Sequence, residues 1–139
     1  MKNFLSALFL FGFSAYAWFG VWLSKANSQF VFIALNIGQG DAIYIRTREG
    51  TDILVDCGPD RTILAELGVV MPPSDRTLEY VFTTHPDSDH IAGCMELTDR
   101  YVITNLITNG HGKNTHVAEQ FAVWVQTQTL LPRIVRRGD

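Results

Sequence analysis

Apolar positions divide the 139-residue chain into one unbroken block and a patterned remainder. From Phe4 to Leu23 no charge interrupts a run dominated by Phe, Leu, Ala, Trp and Val. As a helix, such a run is long enough to cross a bilayer core of about 30 Å. Tyr16, Trp18 and Trp22 gather toward one end, where amphipathic aromatic rings favour the membrane interface, and Lys2 and Lys25 bracket the block. The pattern predicts one transmembrane helix within an anchor of residues 1–26. A cleaved signal peptide is the alternative, since Ser24-Lys25-Ala26 offers small residues at cleavage-like spacing. The main domain, residues 30–139, is expected outside the cytoplasm, either membrane-anchored or secreted after signal cleavage.

Beyond a polar link at Asn27-Ser28-Gln29 the period shortens. Phe30 to Ile37, Ala42 to Thr47 and Thr51 to Asp56 are rich in apolar and β-branched residues and are separated by Gly38-Gln39-Gly40-Asp41 and Glu49-Gly50. They read as a three-stranded antiparallel meander. Asp60 is a candidate cap for a short helix with Ile63, Leu64 and Leu67 on one face and Gly68 as its stop. Pro72-Pro73 marks a rigid connection, Leu78 to Thr83 a strand, Ile91 to Tyr101 a helix and Val102 to Thr108 another strand. Asn114 or Thr115 can cap a helix carrying Ala118, Phe121, Ala122 and Val125 on one side, ended by Pro132 before a strand over Arg133 to Arg137. Strands alternating with helices place the domain in the α+β or α/β class.

Composition narrows the partners. Beyond residue 26, nine of the eleven Lys and Arg face all fourteen Asp and Glu, a formal charge of minus five. That balance offers no basic groove for nucleic acid. Cys57 and Cys94 stand in unrelated contexts and read as two buried or half-buried thiols.

The densest chemistry is Thr84-His85-Pro86-Asp87-Ser88-Asp89-His90, at the end of a predicted strand. Two carboxylates and two imidazoles crowded into six positions repel or desolvate one another unless a positive charge sits among them. Pro86 biases His85 toward an extended backbone, so His85 and Asp87 project to one side. Asp89 and His90 follow where the chain turns into a helix. Four such donors suit one or two divalent cations; imidazole favours zinc, and the carboxylates admit manganese. Helix capping is a compatible role for Asp87 or Asp89. His111 and His116 read as solvated surface residues.

The order of three motifs resembles a known family. Asn36-Ile37-Gly38-Gln39-Gly40-Asp41-Ala42, then Ile53-Leu54-Val55-Asp56-Cys57-Gly58-Pro59-Asp60, then Thr83 to Gly93 with its His-x-Asp-x-Asp-His core are similar to the hydrolase domain of ComEC-type competence proteins, of metallo-β-lactamase fold. The resemblance runs from about Phe30 to Tyr101. It implies the N-terminal half of an αββα sandwich and a hydrolase that cuts phosphodiesters, DNA in competence proteins. It further implies that His85 and Asp87 hold one metal and Asp89 and His90 a second. Asp89 would orient the attacking water, Asp56 would support the ligands from behind, and Gly38, Gly40 and Asp41 would shape the edge of the site.

The family also carries a bridging acidic ligand and further histidines in a second half, which this chain, ending at Gly138-Asp139, is expected to lack; Asp139 reads as a non-ligand. Half a sandwich would leave one sheet face open to self-association. Three readings follow: an anchored phosphodiesterase completed by a missing C-terminal half, a hydrolase of small esters or phosphodiesters, or a non-catalytic remnant or binding module.

Overall fold

The computed structural model describes residues 11–19, 29–128, 131–136 and 138. Of the expected membrane segment, residues 11–19 are helical (α1) with every side chain exposed, and the remainder lies outside the described residues. Among the described residues no helix is long and apolar enough to cross a membrane.

Within the described residues six strands form one sheet in chain order: β1 (Val31–Ala34), β2 (Ile43–Arg46), β3 (Asp52–Val55), β4 (Thr77–Thr83), β5 (Val102–Thr108) and β6 (Arg133–Ile134). The first three are antiparallel, as expected of a meander, whereas β3 to β6 run parallel. The sheet is mixed and the class is α/β, because helices fill the connections from β3 onward and return the chain to the same end of the sheet.

Register explains where the core sits. Tyr44, Leu54, Val81 and Leu106 are cross-strand neighbours on four successive strands, and all are at most 2% exposed. They pack with Ile63, Leu64 and Leu67 of α2 (Thr62–Val70) and with Leu97 of α4 (Cys94–Leu97). The adjoining row, Phe32, Ile45, Ile53 and Tyr80, points the other way and is half-buried to exposed, with Phe32 at 60%. An apolar row therefore remains uncovered on that face.

The N-cap of α2 is Arg61, not the expected Asp60; Asp60 sits one residue earlier, and its carboxylate accepts from Thr62 N at 2.8 Å. Gly68 does not stop α2, which continues to Val70 before Pro72-Pro73 ends it. The helix expected over Ile91 to Tyr101 is instead two single turns, α3 (Ser88–Ile91) and α4, broken at Ala92-Gly93. At the break Gly93 N donates to Gly58 O instead of within the helix, and the close approach requires glycine, since a β-carbon there would lie 2.1 Å from the Cys57 carbonyl oxygen. Thr115 caps α5 (His116–Thr127) by accepting from Ala118 N at 3.3 Å.

The cysteines overturn their expected state. Cys57 and Cys94 form a disulfide across 37 residues, with Cα atoms 5.1 Å apart. Spacing alone does not indicate it. The fold lays the turn after β3 against the start of α4, with Gly93 N donating to Gly58 O and Cys57 N to His90 O.

Candidate metal centre

Parallel strands deliver their C-terminal ends to one edge, where the following turns meet. Asp56 follows β3, Thr84 and His85 follow β4, and the Asn109 to Lys113 loop follows β5. Asp56 has φ of 56°, a left-handed conformation that Asp tolerates better than most residues. That twist sends its carboxylate under the His85 to His90 segment, while its N–H donates to Phe82 O at 2.8 Å.

Both carboxylate oxygens are engaged. Asp56 Oδ1 accepts from Thr84 N at 2.8 Å, and Oδ2 accepts from the Thr84 hydroxyl at 2.6 Å and from His90 Nδ1 at 2.9 Å. Thr84 Oγ1 has one proton, and the carboxylate, which can only accept, takes it. Its contact with His85 Nδ1 at 2.9 Å must then be donated by the imidazole. In its neutral form each ring thus carries its proton on Nδ1 and keeps the Nε2 lone pair free. The ring centroids lie 3.8 Å apart at 50°. One carboxylate fixes the tautomer of both imidazoles, directly for His90 and through Thr84 for His85. This is how histidine ligands are commonly oriented.

One donor atom each from Asp56, His85 and His90 falls within a 4.8 Å group, able to hold a metal ion. Asp56 spends both oxygens on hydrogen bonds, so its geometry fits a support, and the open donors belong to the histidines. Asp87 Oδ2 approaches His85 Nε2 to 3.9 Å, while Asp87 Oδ1 is held by Lys113 Nζ at 2.6 Å. That ammonium, with smaller contributions from the nearby imidazoles, keeps the Asp87 carboxyl below the usual carboxylate range. Asp89, in the first turn of α3, lies outside the donor group and lines a shallow recess with Asp87, Ser88 and His116. His111 and His116 are exposed.

The turn at Gly38 to Asp41 supports the site through the backbone. Gly40 has φ of 81°, and a β-carbon there would meet the Asp89 carbonyl oxygen at 1.9 Å. Asp41 O accepts from Gly58 N at 3.1 Å, whereas Gly38, also at 81°, faces open space. Two participants, Thr84 and Lys113, are not among the residues the sequence singles out. Thr84 stands inside the motif as a second Thr beside the first His. Lys113 becomes legible only once β4 and β5 are known to be parallel neighbours, which brings the loop after β5 beside Asp87.

The donor chemistry fits a divalent cation: two imidazoles with oriented lone pairs and a carboxylate within reach. A solved metallo-beta-lactamase from Cronobacter sakazakii (Enterobacter sakazakii), a HARLDQ motif mutant, is similar with a TM-score of 0.44 and 17% identity, over 56% of this chain and 30% of that one. The chain therefore spans less than a third of that structure's length. Among curated proteins none matches. The pattern of the metallo-beta-lactamase superfamily, however, matches residues 35–137, a stretch that includes Asp56, both cysteines and the whole 85–90 motif. A match over most of the chain, running through the turns that build the donor cluster, makes this protein a member of the metallo-beta-lactamase superfamily.

Proposed function

We propose that the chain carries the metal-binding part of a metal-dependent phosphodiesterase of the competence-protein type. The observation that carries the reading is the pair of imidazoles whose Nε2 lone pairs are set free by Asp56 and Thr84. His85 and His90 would hold a divalent cation through Nε2, with Asp87 adding an oxygen once released from Lys113. Zinc is the ion such a set favours, with manganese the next choice. When bound, the cation supplies Lewis acidity toward a phosphoryl oxygen and makes water acidic enough to act near neutral pH.

The chain's own groups divide the remaining work. Asp56 keeps both imidazoles in the ligating tautomer, and Thr84 transmits that constraint to His85. Asp89, next to His90 in the chain, would orient the attacking water and hold its proton. Two ions, one between His85 and Asp87 and one between His90 and Asp89, are the alternative arrangement, since each Nε2 lone pair serves a single ion. DNA as the substrate, anchoring through Phe4 to Leu23 and an extracytoplasmic domain complete the proposal. The Cys57–Cys94 disulfide supports the location, because disulfides persist in oxidising compartments. A smaller phosphodiester or ester substrate is the second reading, favoured by the acidic charge of the domain.

The test is a titration of the full chain with zinc and manganese, followed by hydrolysis of bis(p-nitrophenyl) phosphate and of single-stranded DNA. Stoichiometric uptake, abolished by His85→Ala and by His90→Ala, is expected. Absence of uptake by the unmodified chain overturns the reading, and cleavage of the small ester without salt-sensitive DNA binding selects the smaller substrate.

A further inference from the structure

A cleft of about 520 Å3 opens directly beside His85, between the His85-Pro86 turn, the loop after β5 and one face of α5. This volume lies within the range of small-molecule sites, roughly 300–1,000 Å3. Its walls are mainly apolar, with Pro86, Phe121, Val125 and Pro132 among them. Lys113 stands at its rim, and Gln126 and Gln128 add amides. The cleft shares His85 with the donor cluster, and Lys113 reaches from the cleft to Asp87. A ligand filling it would place one end against the metal site and an ammonium beside any anionic group it carries.

We propose that this cleft is a subsite for one flat aromatic group borne by the phosphate ester that the metal centre attacks. The assignment rests on the hydrolase reading for the placement of the phosphate. Three features select an aromatic occupant. Pro86, Pro132 and Phe121, the last already stacked on Trp124 at 5.5 Å, line the cleft with rings against which a planar group packs. The Gln126 amide can donate and accept, which suits the polar edge of a nucleobase or substituted ring and is wasted on an aliphatic chain, while Gln128 Nε2 is spent on Trp124 O and Thr127 Oγ1. Among the described lining residues Lys113 is the single ammonium, which matches one phosphate rather than the track of cations a long polyanion needs. The cleft therefore reads one ring next to the scissile ester and gives specificity at that position alone.

Full-length chain, with and without zinc, is titrated calorimetrically with thymidine 5′-monophosphate, phenyl phosphate and 2-deoxyribose 5-phosphate. The last carries the same anion without a ring. At least one aromatic phosphate is expected to bind about tenfold or more tightly than the sugar phosphate. Preference for thymidine 5′-monophosphate identifies a nucleobase as the natural occupant, and preference for phenyl phosphate alone identifies a small aryl ester. Ala122→Trp, which fills the cleft from α5, should erase the preference while leaving zinc uptake unchanged. Equal binding of all three ligands by the unmodified chain overturns the subsite, as does an intact preference in folded Ala122→Trp. Zinc uptake without ring preference removes the subsite and spares the hydrolase reading; ring preference without zinc uptake does the reverse.

Discussion

His90 Nδ1 lies 2.9 Å from Asp56 Oδ2, and both residues are buried. The same oxygen holds the Thr84 hydroxyl that accepts from His85. Asp56→Asn replaces an acceptor with an amide whose NH2 cannot accept, so one imidazole loses its partner. Zinc affinity should fall about 10–100-fold, the usual cost of removing such a support. Thr84→Ala should cost less, because the backbone bond from residue 84 to Asp56 Oδ1 survives. Calorimetric zinc titration of both variants checks the order.

The disulfide ties the turn after β3 to the start of α4, across the segment that carries His90. A closed loop of this length removes about 4 kcal/mol of unfolded-state entropy in the chain-entropy account. Reduction, or Cys57→Ser with Cys94→Ser, should lower unfolding free energy by about 2–4 kcal/mol, read from urea denaturation with and without reductant. Zinc affinity should drop as well.

Gly38 and Gly40 share a φ of 81°, yet only Gly40 is pressed against Asp89. Alanine at Gly38 should cost about 1–2 kcal/mol, the ordinary penalty for a left-handed residue. Alanine at Gly40 should exceed that by about 1–3 kcal/mol, since the opposing atoms are backbone and cannot swing away. A larger loss at Gly38 would contradict the close approach of the two turns. Thermal unfolding of the two variants decides it.

Asp52 is buried beneath the sheet, where Tyr44 OH donates to it at 2.6 Å and Arg46 stands 3.4 Å away. Desolvation pushes its carboxyl up to about 6, despite the lowering effects of Tyr44 and Arg46, and nearby Asp75 and Glu79 add to the rise. Between about pH 4 and 6 the folded chain holds a proton that the unfolded chain has released. The stabilisation from this group is complete below about pH 4 and lost as pH rises through 6, a change of up to about 3 kcal/mol. Asp52→Asn should remove that part of the pH slope, measured as the difference between wild type and variant across pH 4 to 8.

Local chemistry makes much of this legible. Alternation and turn residues locate the first three strands, and the Thr83 to Gly93 motif locates the histidines. What stays hidden depends on contacts between segments far apart in the chain. Cys57 and Cys94 look unrelated until the β3 turn lies on α4. The Ile91 to Tyr101 stretch has helical content, but Gly93 N is drawn to Gly58 O in the turn after β3, and the helical bonding is interrupted there. The Asp87 to Lys113 pair spans 26 residues and follows only from the parallel alignment of β4 and β5. Asp89 enters α3, which begins at Ser88, and is not among the donor atoms that Asp56, His85 and His90 bring together.

Each strand of the sheet lies beside the one synthesised just before it. Assembly can therefore proceed from the amino terminus, one edge addition at a time, with little loop-closure cost at each step. Asp56, His85, His90 and both cysteines all precede β5. The turns that carry the donor cluster and their covalent tie can thus come together while the Lys113 loop and α5 are still leaving the ribosome. The aromatic cleft, built from those later segments, would be the last part of the functional edge to mature.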